Sequence, residues 1–177
     1  MVTIKDVYEA EKSISYFPGW LGPEQETSYV WFDAPIDIGG VTETGLVIHG
    51  GCYADRPECH VTLELRYQRK PGRRCRPLER LDWRSLEGGH SNPRKPPSKW
   101  AGQRVSDTHL HDFALNWSET EQRMRMGNLP TAREIKTNLN DFQGLRCYMG
   151  KRLRIKNMDI VECPPWEYSL FTQDWIK

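Results

Sequence analysis

Three stretches of the chain alternate apolar and polar side chains with a period of two, and this repeat constrains the fold more than any other feature. Residues 28–38 put Val30, Phe32, Ala34, Ile36 and Ile38 on one face. Cys59 to Gln68 put Val61, Leu63, Leu65 and Tyr67 on one face, with His60, Thr62, Glu64 and Arg66 on the other. Leu78 to Ser85 set Leu81 and Trp83 against Arg80, Asp82 and Arg84. Successive side chains of a strand point to opposite sides, so each stretch reads as a half-buried strand of an antiparallel sheet. Leu46 to Ile48 adds a strand ended by Gly50-Gly51, and turns are expected at Gly39-Gly40, near Pro57 and at Lys70-Pro71-Gly72. Pro35 has no N–H to give a ladder and predicts an edge or a bend.

The rest of the chain follows other rules. Glu87 to Lys99 holds two glycines and three prolines, which predicts a long exposed loop. Ser118-x-x-Glu121 and Thr131-x-x-Glu134 match the capping-box pattern and predict helices starting there. Gly127 would close the first, and an apolar stripe from Ile135 through Leu139, Phe142, Leu145, Tyr148 and Met149 to Gly150 forms the second, with a break at Gly144. Leu153 and Ile155 predict a last short strand, and Trp166, Tyr168, Phe171 and Trp175 predict a tail packing back on the body. The expected class is α+β, with an antiparallel sheet in the N-terminal two-thirds, helices packing on it and an irregular C-terminal tail. A length of 177 residues suits one domain, 1–177, β-rich over 25–115, helical over 118–150, and ending in a strand and tail over 151–177.

Charges at Lys5, Asp6, Glu9, Glu11 and Lys12 interrupt any apolar leader, and no apolar run approaches the roughly 20 residues that cross a bilayer. Five cysteines without a C-x-x-C pair read as free thiols of a reducing compartment, so a cytoplasmic protein without membrane attachment is expected. The net charge of +1 conceals a segregation: residues 1–65 hold three basic and eleven acidic side chains, residues 66–104 twelve basic and three acidic. Arg66, Arg69, Lys70, Arg73, Arg74, Arg76 and Arg84, with Trp83 among them, form the expected nucleic-acid-binding surface. A solvated basic loop neutralised by the acidic N-terminal third is the alternative.

One segment carries potential chemistry. His109 and His111 are two apart, so they converge only if the backbone there is extended. Arg80 and Asp82 share a strand face by the same rule, and His90 lies between the two pairs. Two imidazoles for general acid and base, with a cation for the developing phosphorane charge, would serve an RNA-cleaving site that needs no cofactor. The same side chains suit a divalent metal at His90, His109 and His111 with Asp82 nearby. Hydrogen-bonded histidines at a sheet edge, with Arg80 paired to Asp82 or Glu64, form the purely structural alternative.

The order Arg80-Leu81-Asp82, then His90, then His109-Leu110-His111 after an antiparallel sheet resembles the TumE-type toxins of bacterial toxin–antitoxin modules and related proteins of mobile elements. The resemblance spans roughly residues 45 to 113. It implies a small cytosolic protein acting on RNA and neutralised by a cognate antitoxin over its basic face. The separation of Asp82 from His109 is longer than in that pattern, and the part after Trp117 is additional. The competing reading is a non-catalytic interaction protein, an antitoxin or an inhibitor of a host defence complex, that binds a protein partner.

Overall fold

A computed structural model describes residues 3–23, 27–69, 72, 75–95, 99–125 and 128–168. Helix α1 (Ile4–Glu9) precedes strands β1 (Lys12–Ile14), β2 (Tyr29–Ile38), β3 (Val41–Tyr53), β4 (Val61–Tyr67), β5 (Arg76–Trp83) and β6 (His109–His111). Then come α2 (Phe113–Asn116), the small hairpin β7 (Trp117–Ser118) and β8 (Arg123–Met124), strand β9 (Arg133–Glu134) and helix α3 (Phe142–Leu153). Seven strands form one sheet in the order β1-β2-β3-β4-β5-β6-β9, with every paired neighbour antiparallel. The α+β class therefore holds.

The period-two pattern decides which face is buried. Val30, Phe32, Ala34 and Ile36 of β2, Leu46 and Ile48 of β3, Val61, Leu63 and Leu65 of β4, and Leu81 and Trp83 of β5 enter a single core with Phe142, Leu145, Met149 and Leu153 of α3. At about 1.5–3 kcal/mol for each fully buried aliphatic or aromatic side chain, this face is the main source of stability. Trp166 joins the layer against Phe142, whereas Tyr168 is exposed, and Phe171 and Trp175 lie outside the described residues.

Several expectations are corrected. Strand β2 is not an edge, because β1 pairs with it; Pro35 instead marks a register shift before Asp37. Strand β3 runs through Gly50 and Gly51 to Tyr53. A Cβ at Gly50 would lie 2.1 Å from the Phe32 ring and one at Gly51 1.9 Å from the Tyr29 hydroxyl, so these glycines make room for aromatics rather than ending the strand. Neither capping-box helix forms. Asn116 donates to Thr131 O and accepts from Thr131 N, and Asn92 does the same for Ala132, so two side-chain amides hold 131–132 extended as a neighbouring strand would. The real helix starts later, capped by Asp141 on Gly144 N, and passes through both Gly144 and Gly150 to Leu153. Ile155 makes only an isolated parallel bridge to Lys12. Gly127 lies outside the described residues, as do Lys70 and Pro71 of the predicted turn. No helix among the described residues is long and apolar enough to cross a membrane.

Candidate functional site

Register across the central strands builds the site on the face of the sheet away from α3. Thr62, Asp82 and His109 stand opposite one another across β4, β5 and β6, and Glu64, Arg80 and His111 form the next row. That second row continues through His49 of β3 to Asp33 of β2. Side chains directly opposite in a ladder have Cβ atoms about 4.5–5.5 Å apart, close enough for polar groups to meet.

They do meet. Asp82 Oδ2 lies 3.3 Å from His109 Nε2, 3.3 Å from His111 Nε2 and 3.0 Å from Arg80 Nε. Thr62 Oγ1 donates to the other Asp82 oxygen at 2.9 Å. Arg80 Nη2 sits 2.7 Å from His111 Nε2. The loop after β5 returns His90 to the cluster, its ring centroid 4.7 Å from that of His111 and 5.8 Å from that of His109. All five residues assigned from the sequence to a catalytic centre thus converge.

Carbonyl partners fix which nitrogens carry protons. His109 Nδ1 is 2.8 Å from Ser106 O, His111 Nδ1 bonds Leu129 O, and His90 Nε2 is 2.8 Å from Pro130 O. A carbonyl oxygen only accepts, so each of these nitrogens is a donor. Arg80 likewise only donates, which makes His111 Nε2 an acceptor and His111 a neutral imidazole. Burial works the same way, pushing the His111 pKa down to about 4. Burial would raise the Asp82 carboxyl, but His109 and the Arg80 guanidinium beside it outweigh that and hold the group well below the usual carboxylate range.

Exposure separates the roles. The side chains of His109 and His111 are 5% and 1% exposed, those of Asp82 and Arg80 16% and 19%. Arg80 and Asp82 border an open groove of about 320 Å³ that also involves Tyr29, His49, His60 and Arg66. In the loop expected to be exposed over 87–99, Glu87, Ser91, Arg94, Lys95 and Lys99 are exposed, whereas His90 turns in against the histidines and Asn92 is buried; residues 96–98 lie outside the described residues. Among the described residues, Asp82, His109 and His111 form a group whose ligand atoms lie within 4.8 Å of one another, an arrangement that could hold a metal ion. His90, expected as a ligand, is outside this group, although its ring stands beside those of His109 and His111 and its Nε2 donates to Pro130 O. A larger cavity of about 780 Å³ lies between α1 and α3, beside Tyr8, Phe113 and Lys151, and none of the five residues borders it.

The residues expected to form a basic surface lie in different surroundings. Trp83 is buried and donates to Leu139 O, so its ring is unavailable to a base; this corrects its assignment to nucleic-acid binding. Arg84 adopts φ +50°, leaves the polar face of β5, and binds Glu58 and Asn140 O. Arg66 reaches the groove but pairs with Glu64 and lies 3.8 Å from Asp33. Arg76 begins β5, and Arg69 follows β4 with an interaction of its own. Lys70, Arg73 and Arg74 lie outside the described residues.

Sequence reasoning put Thr62 and Glu64 on the polar face of their strand, but it missed His49 and Asp33 and did not align the rows. Their alternation was visible, but membership depends on which residue faces which across strands, and that is a matter of register. The carbonyls of Ser106, Leu129 and Pro130 leave no trace in residue type. No family model, curated protein or solved structure matches the chain.

Proposed function

We propose that the protein is a nucleic-acid-directed enzyme, an RNA endonuclease, with its centre at Arg80, Asp82, His90, His109 and His111. One observation carries this reading: Arg80 and Asp82 belong both to the buried histidine cluster and to the rim of the open groove. A phosphodiester in the groove meets the Arg80 guanidinium, a fixed cation for the charge that develops at phosphorus. Proton transfer falls to His109, whose Nε2 lies beside Asp82, while His111 orients Arg80. A toxin-like role with a cognate protein partner, as the sequence resemblance implies, belongs to this proposal.

The test is cleavage of RNA by the purified protein, compared with Arg80→Ala and a His109→Ala/His111→Ala double variant, each checked for folding by circular dichroism. The expected outcome is cleavage by the natural protein and a loss of about 10²–10⁴-fold in the variants. Intact RNA after incubation with folded protein across pH and divalent ions would sink the proposal, as would full activity in Arg80→Ala.

A second reading is favoured by the charge balance of the groove, where Glu64, Asp82 and Glu87 offset Arg66 and Arg80. Such a surface suits a non-catalytic protein partner, an antitoxin or an inhibitor of a host defence complex. Histidine substitution would then leave partner binding intact.

A further inference from the structure

We infer that Asp82, His109 and His111 form a binding site for a zinc-like divalent transition-metal ion, with Arg80 standing in the place of the cation until the ion displaces it. This rests on the donor geometry alone and not on the RNA reading. Zinc bonds of about 2.0–2.2 Å to nitrogen and oxygen place two tetrahedrally arranged ligand atoms roughly 3.3–3.5 Å apart. Asp82 Oδ2 lies 3.3 Å from each of the two Nε2 atoms, with no intervening proton on His111.

Each ligand is also held from behind. Ligating imidazoles characteristically donate their other N–H to a carbonyl or carboxylate, which fixes the tautomer and aims the lone pair. His109 does so to Ser106 O and His111 to Leu129 O. Thr62 donates to Asp82 Oδ1, leaving Oδ2 for the ion. A purely structural salt bridge between Arg80 and Asp82 requires none of these three supports.

Two imidazole nitrogens with one carboxylate oxygen select a zinc-type ion over magnesium or calcium, which prefer all-oxygen shells. Three protein ligands leave the fourth position open, as catalytic zinc sites do. Arg80 explains how the cluster is stable without an ion: its Nε meets Asp82 Oδ2 and its Nη2 meets His111 Nε2, so one guanidinium spans the donors a metal would bridge. On metal binding it turns into the groove it already borders.

Cobalt(II) is the probe, because its visible absorption reports coordination and distinguishes this site from the five cysteines of the chain. EDTA-stripped full-length protein should take up one equivalent, giving the d–d bands of a tetrahedral nitrogen and oxygen site without a thiolate charge-transfer band. Zinc should displace it. Asp82→Asn should weaken binding at least 100-fold, and Arg80→Met, which removes the competing cation and keeps the apolar stem, should tighten it about tenfold. Absence of binding in both the natural protein and Arg80→Met overturns the inference, and so does a cobalt spectrum unchanged in Asp82→Asn. Binding by Arg80→Met alone also overturns it, because the guanidinium is then the permanent cation. Metal uptake without RNA cleavage keeps this site and removes the RNA reading; cleavage by metal-free protein that binds no cobalt does the reverse.

Discussion

Lys12 shows how far a single side chain departs from its residue type. In the sequence it is one of the charges that open the chain, yet it is 2% exposed and its Nζ donates to the carbonyls of Tyr8, Ala10 and Leu153. These oxygens lie at and just beyond the C-terminal ends of α1 and α3, where carbonyls lack helical partners and a cation is favoured. Lys12→Met should therefore cost about 3 kcal/mol or more in chemical denaturation, because it strands several buried acceptors at about 1–3 kcal/mol each. Burial, helped by the Arg154 charge, pushes the Lys12 pKa down from 10.5 to about 8. Between those pH values the unfolded chain holds a proton that the native state has released, so this residue's contribution to stability rises with pH across that window. The difference in stability between natural protein and Lys12→Met, measured from pH 8 to 10.5, should grow in favour of the natural protein; a flat difference would mean that Lys12 stays charged.

Elements fail or succeed according to what their neighbours supply. The β2–β3 pair holds its register from Tyr29↔Tyr53 to Pro35↔Val47, and Phe32 of β2 lies over Gly50, directly opposite on β3. Gly50→Ala would drive a methyl into that ring. A loss of about 2–3 kcal/mol in urea denaturation is expected, the size typical of overpacking in a close-packed interior. A loss under about 0.5 kcal/mol would show that Phe32 moves aside freely. At 118–134 the local capping signal is real, but Asn92 and Asn116 offer the 131–132 backbone ladder-like partners, and tertiary hydrogen bonds override a local preference worth about 1 kcal/mol.

The whole molecule is tied together by one buried ionic network. Glu79 of β5, fully buried, accepts from Arg152 of α3 through both Nε (2.7 Å) and Nη2 (3.1 Å), from Tyr8 of α1 and from Phe113 N of α2. Asp112, which caps α2, joins Arg152 to Arg133 of β9. Five elements from both ends of the chain meet at two carboxylates. Arg152→Met should lower stability by about 3–5 kcal/mol, since Glu79 would keep its burial and lose its counter-charge. Adding Glu79→Gln to that variant should restore part of the loss, a coupling read by a double-mutant cycle. Additivity of the two substitutions would show that the ion pair contributes nothing as a pair.

Residue order alone determined three central strands of the sheet, because period-two alternation is a local property: β2, β4 and β5 follow from which residues alternate. It also marked Arg80, Asp82, His90, His109 and His111 as side chains able to act together. Tertiary structure decided the rest. Burial of Lys12 and Trp83, the extended path at 131–134, and the membership of Thr62, Glu64 and His49 in the polar rows all depend on groups distant in sequence. The proton positions on the histidines depend on backbone carbonyls of Ser106, Leu129 and Pro130, which every residue possesses and no residue type announces. Alternation is written into neighbours along the chain, whereas register and hydrogen-bond partnership exist only once distant strands have met.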